Sequence, residues 1–396
     1  MIKRVAVLGG GMVGSAIALD LATDFDVIVC DISKDTLEKI KSRNRHIKTN
    51  HIDFVNDVKE LFRIVKYCNI VVNASPGNIG YFVAESILKS LKSDGGFIKG
   101  IVDIAFYPED PNGLNSLADA CGVKYLVDFG VAPGCSNLIY GHEDFLSRQS
   151  CKVGAEINDF VCYVGGLPVE RVAPWEYKAP FSPSDVLAEY IRPARYVEAR
   201  QEKVKPALSE PELLNFPVVG TLEAFLTDGA RTLLKDANGG CPWRIVEKTM
   251  RYPGYRDKMV LLRDMGLLDD KPIINGVSPL DITSKLLSGP WSFKDGEEDI
   301  TVMRIISKTY VDNKIQTVQW DLFDKYDAKT NISSMARTTG YTCTAAVRML
   351  VNDLWAKPGT ITPEEVGASK ECFDFIMSEL KNRNVIFTRE VLEDKE

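Results

Sequence analysis

Three glycines, Gly9, Gly11 and Gly14, stand in the spacing G-x-G-x-x-G directly after the apolar run Val5–Leu8, and Asp31 closes the next apolar run. Each position has a physical task in holding a dinucleotide. Gly9 permits the tight turn, Gly11 lets the backbone approach a pyrophosphate, and Gly14 lets the following helix lie close to the strand. The pyrophosphate would sit on the unpaired N–H groups of Met12 and Val13, where that helix opens. Asp31 is placed to accept hydrogen bonds from both hydroxyls of the adenosine ribose. A 2′-phosphate about 4 Å from its carboxylate would be repelled by several kcal/mol at an effective dielectric of roughly 20. The pattern therefore predicts NAD, with NADP the less favoured cofactor. Lys34 either covers a 2′-phosphate or is a solvated first-turn residue.

Further polar groups reach the same end of the strands. Ala74, Ser75 and Pro76 follow a fourth strand, Asp103 ends a fifth, and Gly130 follows a sixth. In a parallel sheet these positions share the edge where a dinucleotide binds, so they are expected to line its nicotinamide half. Asp103 would accept a proton from an amine or bond the carboxamide; the alternative is a cap on the turn that follows. Pro76 and Gly77 form either part of the site or a simple turn.

Positioning these groups requires alternating strands and helices, and the first 130 residues supply them. Strands are expected at 3–8, 26–31, 47–54, 69–74, 97–103 and 124–129. Helices are expected at 12–23, 34–43, 57–67, 78–92 and 113–121, with Val58, Leu61, Phe62 and Val65 on the inner face of the third and Phe82, Ile87, Leu88 and Leu91 on that of the fourth. After Gly130 the pattern changes. Strand-like alternation at 152–165, 217–225, 243–252, 300–311 and 315–327 lacks regular crossovers, which suggests a mixed or antiparallel sheet. Helical stretches read at 183–192, 221–235, 256–266, 278–287, 335–352 and 363–382, and the polar residues 195–215 read as an exposed excursion. The fold class is α/β: an N-terminal Rossmann doubly wound parallel sheet plus a second α+β domain on a large mixed sheet.

Composition limits the partners. At 396 residues the chain has room for two domains. A net charge of −7, with lysines and arginines scattered, argues against nucleic acid. No apolar run approaches the roughly 18 residues of a membrane span, and the N-terminus enters the first strand directly, so a cytoplasmic protein is expected. Nine cysteines without a Cys-x-x-Cys pair, and three dispersed histidines, predict reduced thiols and no metal site.

From Val127–Gly134 onward the chain resembles the saccharopine dehydrogenase family, in particular its lysine 6-dehydrogenase and bacterial saccharopine dehydrogenase branch. Colinear motifs carry the resemblance: Tyr163-Val-Gly-Gly-Leu-Pro168, Glu176-Tyr-Lys178 with Phe181-Ser182, Leu222-Glu-Ala-Phe225, Glu247-Lys-Thr-Met-Arg-Tyr-Pro-Gly254 and Ser334-Met-Ala-Arg-Thr-Thr-Gly-Tyr341. It departs from lysine 6-dehydrogenases at Asp103–Asp110 and Thr227–Thr232. The resemblance implies a Rossmann domain over 1–130, a substrate domain over 131–334, and a segment 335–396 that returns to the first domain. It implies oxidation of a C–N bond of an amino acid of the saccharopine or L-lysine type with NAD(P), followed by hydrolysis of the imine. It also implies a homodimer or larger homo-oligomer.

That chemistry needs a base and a grip for a carboxylate, and no metal. Lys178 is the first candidate base, because a low-dielectric cleft can lower a lysine toward neutrality; the alternative is a surface lysine. Tyr177 would orient the substrate or pack in a core, and Glu176 stands beside both in the same motif. Arg231 and Arg251 suit a substrate carboxylate, since arginine offers two parallel donors; Arg251 alternatively pairs with Glu247 at helix-like spacing. Asp228 meets a substrate ammonium or pairs with Arg231. Cys135 lacks an activating base and reads as a buried filler, and His142 is a weaker base candidate. Two other readings stay open: a reductive condensing enzyme joining an amine to a carbonyl compound, and a non-catalytic NAD-binding sensor or scaffold.

Overall fold

A computed structural model describes residues 3–150, 157–180, 183–238, 242–294, 296–311 and 314–392. Phe181, Ser182, Cys151, Cys241 and the first part of the strand expected at 152–165 lie outside the described residues. Along the chain the described residues form strands β1 to β16 and α-helices α1 to α12, in two compact units. The first comprises Met1–His142 and Ala336–Val385, the second Glu143–Met335 and Ile386–Glu396.

The first unit is built on β1 (Arg4–Leu8), β2 (Asp26–Asp31), β3 (Lys48–His51), β4 (Ile70–Asn73), β5 (Gly100–Asp103), β6 (Lys124–Leu126) and β15 (Gly359–Ile361). They lie in the order β15-β6-β5-β4-β1-β2-β3, every pair parallel. Parallel strands buried on both faces need unbroken apolar runs, and Val5 to Leu8 are fully buried. Helix α1 (Met12–Leu21) follows β1, and α2 (Lys34–Arg43) follows β2. The Ser33 hydroxyl caps α2 by accepting from the Thr36 N–H at 3.2 Å, with Asp35 in its first turn and Lys41 and Arg43 in its last. Helices α3 (Val58–Val65), α4 (Gly77–Asp94) and α5 (Asn115–Ala120) complete the crossovers. In α4 Val83 and Ala84 face the core, whereas Phe82, assigned to the inner face from the sequence, is exposed.

Helix α10 (Ser334–Val351) contributes Arg348 to an ion cluster in this unit. The Arg348 guanidinium donates to Asp20 at 2.7 Å and Asp24 at 2.9 Å. Arg383 donates to the same Asp20 at 2.7 Å and to Glu379 of α12 (Lys370–Asn382) at 2.8 Å. The single helix expected at 363–382 is divided into α11 (Pro363–Gly367) and α12. At the break a Cβ on Gly367 would lie 2.0 Å from the Leu138 carbonyl oxygen, so close backbone packing decides this junction.

The second unit holds β7 (Ile157–Pro168), β8 (Ala194–Glu198), β9 (Gln201–Lys205), β10 (Glu212–Phe216), β11 (Gly220–Leu226), β12 (Arg244–Arg251), β13 (Asp299–Val311), β14 (Lys314–Lys325) and β16 (Phe387–Leu392). The order is β10-β11-β12-β7-β13-β14-β16, with β8 and β9 branching from β12. Only β7 and β12 pair in parallel, so the sheet is mixed. Helices α7 (Pro183–Ile191), α8 (Tyr255–Asp264) and α9 (Pro279–Trp291) supply Tyr190, Tyr255, Met259 and Trp291 to one buried cluster.

Three expectations are corrected here. Residues 195–215 are not a loop excursion but carry β8, β9 and β10; β9 is exposed along most of its length, so its polar composition hid the strand. The helix at 221–235 is instead β11 followed by a 3-10 turn, Arg231–Asn238. The end of the returning segment does not stay with the first unit, because β16 pairs antiparallel with β14. Among the described residues no helix is long and apolar enough to cross a membrane, and no group of three His, Cys, Asp or Glu could hold a metal ion.

Candidate functional site

In the first unit the glycine turn has the shape a dinucleotide needs. Gly9 sits at φ +98°, and a Cβ there would lie 2.3 Å from the Ala74 carbonyl oxygen. A Cβ on Gly14 would lie 1.9 Å from the Gly9 oxygen, so these two positions demand glycine for packing alone. Gly11 differs: a Cβ there would meet nothing within 4 Å. Gly11 also opens α1 without a side-chain cap, and the first turn carries no acid, so the N–H groups at Met12 and Val13 face an open cradle suited to a pyrophosphate. The residues present therefore fit a dinucleotide.

Asp31 is held from both sides. Its Oδ2 accepts from the Gly10 N–H at 2.6 Å and its Oδ1 from the Ser33 N–H at 2.7 Å. Ala74, Ser75 and Pro76 form the turn after β4, and Asp103 ends β5. Asp103 is 1% exposed and accepts from the Ala105 N–H at 2.8 Å, the turn bond expected as the alternative to a functional role. It also accepts from Asn73 Nδ2 at 2.9 Å and the Tyr125 hydroxyl at 2.9 Å. Burial pushes its carboxyl up to about 7, against the pull of those hydrogen bonds. Gly130 lies against Pro133, where a Cβ would meet the carbonyl oxygen at 3.1 Å. Cys135 is buried with Sγ 3.0 Å from Thr342 Oγ1, and burial pushes its thiol up to about 12, which fits the reading of an inert filler. The His142 ring stacks on Phe373 at 3.6 Å.

In the second unit one face of β12 gathers the charged groups. Alternation along the strand puts Glu247, Thr249 and Arg251 on the same side. Arg251 is 4% exposed; it donates to the Tyr190 hydroxyl at 3.1 Å and to the Met250 carbonyl at 2.9 Å, and lies 4.7 Å from the Tyr177 ring centre. Among the described residues no carboxylate forms an ion pair with Arg251. The expected Arg251–Glu247 pair is absent because the segment is a strand. Glu247 instead accepts from the Thr227 hydroxyl at 2.6 Å and the Gly229 N–H at 3.1 Å. Burial pushes Glu247 up to about 8.

Glu189, on α7 beside Tyr190, completes this cluster. Burial pushes its carboxyl up to about 7, while the charges of Arg251 and Arg192 act in the opposite direction. Sequence reading missed Glu189 and Arg192, and took Glu247 only as an alternative partner of Arg251. The two-residue period through Glu247, Thr249 and Arg251 is the signal that could have found Glu247; nothing local marks the other two.

Other sequence-derived candidates are engaged elsewhere. Lys178 Nζ is paired with Glu297 and donates to the Ser292 carbonyl at 3.3 Å. These contacts occupy the nitrogen that a base would have to offer to the substrate. Glu176 accepts from Arg171 Nε at 3.0 Å. Asp228 is held by Arg195 through two guanidinium bonds at 2.9 and 2.8 Å. Arg231 is 6% exposed at φ +48°. Tyr177 is buried against Tyr255 and Trp291.

Comparison with known proteins agrees with this layout. A model described as the saccharopine dehydrogenase C-terminal domain matches residues 130–386, and one described as the saccharopine dehydrogenase NADP binding domain matches residues 5–91. The chain belongs to the saccharopine dehydrogenase family. Among relatives of the family, the mitochondrial alpha-aminoadipic semialdehyde synthase of Bos taurus is 21% identical over 98% of this chain and 47% of its own length. The chain thus spans about half the length of such relatives. Saccharopine dehydrogenase [NADP(+), L-glutamate-forming] of Saccharomyces cerevisiae is 23% identical over 98% of this chain and 99% of its own. The solved apo saccharopine dehydrogenase (L-Glu forming) from Saccharomyces cerevisiae superposes with a TM-score of 0.80 at 19% identity, covering 99% of this chain and 100% of that one. Homospermidine synthase from Legionella pneumophila in complex with NAD gives 0.65 at 13% identity, covering 100% and 93%. These two likenesses show the saccharopine dehydrogenase fold. The family match makes the first unit a nicotinamide-dinucleotide domain, but the preference for NAD read from Asp31 finds no support in it.

Proposed function

We propose that this protein is an NADP-dependent dehydrogenase that oxidises the secondary amine of a saccharopine-type amino acid, in preference to the ε-amine of free lysine. The observation that carries an amino-acid substrate is Arg251, a buried guanidinium with no carboxylate partner among the described residues and with N–H groups left to grip one; the saccharopine type follows the names of the relatives. Glu189, whose proton affinity is brought near neutrality by burial, suits the amine: it accepts a proton as the substrate nitrogen is deprotonated. When bound, the dinucleotide accepts the hydride from the carbon next to that nitrogen. The imine then takes up water, its C–N bond breaks, and a carbonyl compound and an amino acid leave. Glu247, hydrogen-bonded to Thr227 and Gly229, keeps the β12 face rigid.

NADP is favoured by the matched NADP binding domain and by the names of the fungal relatives. Lys34, at the opening of α2 beside Asp31, is the cation that would offset that carboxylate's repulsion of a 2′-phosphate. A homodimer is carried over from the family resemblance and is checked by sedimentation. The deciding experiment follows absorbance at 340 nm with saccharopine and with L-lysine, each with NADP and NAD, and identifies the amino acid released. Formation of NADPH and glutamate with saccharopine supports the reading. Reduction with lysine alone, or with neither substrate despite tight dinucleotide binding, overturns it.

A further inference from the structure

The ends of β4, β5 and β6 bury a polar chain that the glycine fingerprint does not require. Every group that reaches the Asp103 carboxylate donates: the Ala105 N–H on Oδ1, and Asn73 Nδ2 and the Tyr125 hydroxyl on Oδ2. The Tyr125 hydroxyl in turn lies 2.7 Å from that of Tyr107. Such a set suits an ionised acid. Asn73 is locked by it. Its second amide hydrogen goes to the Gly80 carbonyl at 3.0 Å, and its Oδ1 accepts from the Ser75 hydroxyl at 2.7 Å. A flipped amide would aim its oxygen at the carboxylate. Ser75 belongs to the turn whose Ala74 carbonyl stands against Gly9. The string Asp103–Asn73–Ser75 therefore ends on the wall of the dinucleotide turn.

We propose that Asp103 is a positioning residue: its negative charge sets the orientation of the Asn73 amide, which holds the Ala74–Pro76 turn in the form that binds the dinucleotide. Neutralising Asp103 frees the amide to rotate, releases Ser75, and weakens binding. This role goes beyond the proton acceptor or carboxamide contact expected of Asp103, and it rests on the dinucleotide reading above. The group is buried and pushed up to about 7, so the switch falls in the physiological range. The titratable groups that face it are the hydroxyls of Tyr125 and Tyr107, the Asp128 carboxylate beyond β6, whose charge raises it further, and the Cys343 thiol of α10, itself pushed up by burial. The folded protein loses the Asp103 charge as pH falls through that value, and affinity falls with it.

The test is calorimetric titration of the whole chain with NADPH and with NADH between about pH 6 and pH 8.5, for wild type, Asp103→Asn and Tyr125→Phe. NADH lacks the 2′-phosphate, so its profile is free of that group's own titration near roughly pH 6. Wild type should bind about ten-fold more weakly at the acid end, the scale of one hydrogen bond to a charged group. Asp103→Asn should bind about ten-fold more weakly at the alkaline end and show no inflection. Tyr125→Phe removes one donor but keeps the ring, so its inflection should move to higher pH. An Asp103→Asn protein with wild-type affinity, or with the wild-type inflection, overturns the proposal. If that variant fails to fold, an unmoved inflection in Tyr125→Phe overturns it. A wild type that binds neither dinucleotide at any pH refutes the dinucleotide reading itself.

Discussion

Replacing Glu247 by glutamine should make the second unit more stable in alkali and leave it nearly unchanged in acid. Glu247 is 6% exposed, and burial raises its carboxyl from 4.5 to about 8 against hydrogen bonds from Thr227 and Gly229. The sign follows from proton binding. Between those two values the folded protein holds the proton and the unfolded chain has released it, so stability falls as pH rises through that window. A displacement of this size corresponds to roughly 5 kcal/mol as an upper bound, reduced by whatever relaxation lets water reach the ionised group. Glutamine carries no charge at any pH and keeps a carbonyl to accept from Thr227 and Gly229. Its extra N–H costs about 1 kcal/mol where no partner is found. The variant should therefore be within about 1 kcal/mol of wild type near pH 5.5 and more stable by several kcal/mol near pH 9. Urea unfolding followed by tryptophan fluorescence reads this unit, because Trp175, Trp243, Trp291 and Trp320 belong to it and only Trp355 to the other. Other acids titrate too, but they do so in both proteins and cancel in the difference. A stability difference that stays constant between the two pH values would refute a buried, proton-holding Glu247.

Gly11→Ala should fold with an unchanged melting temperature, since its Cβ enters open space, yet bind dinucleotide at least ten-fold more weakly; equal affinity by calorimetry would show that no pyrophosphate rests there. Arg251→Ala should raise KM for the amino-acid substrate roughly 10- to 100-fold, the equivalent of about 1.5–3 kcal/mol for a charged hydrogen bond, with dinucleotide affinity retained. Steady-state kinetics on the folded variant would count against carboxylate recognition if KM were unchanged. Arg348→Ala leaves Asp24 without its guanidinium and Asp20 with that of Arg383 alone, and should destabilise the first unit by about 2 kcal/mol. Urea titration followed by circular dichroism would show this, and a loss below about 0.5 kcal/mol would mark the cluster as solvated and redundant.

The first unit was largely readable before any coordinates. Parallel strands buried on both faces leave continuous apolar runs, so Val5–Leu8 and Val27–Cys30 announce themselves, and the glycine spacing has a local steric cause that one segment contains. Helix α2 was placed at 34–43 between the second and third strands, and the structure has it at Lys34–Arg43. The second unit was less legible. Its edge strands, β9 above all, face solvent and need no apolar alternation, so they look like loop until pairing partners are known.

Chemistry bound to neighbouring residues was thus determined by the sequence itself: a tight glycine turn, a helix opening onto an anion, an acid closing the second strand. The grouping of Glu189 with Arg251, the capture of Lys178 by Glu297, and the tie from Asp103 through Asn73 to Ser75 were decided only by tertiary structure. Each joins residues from separate elements, and whether a charged side chain is free, paired or pushed off its usual proton affinity depends on which distant groups and how much water surround it. A spacing along the chain carries no information about that surrounding.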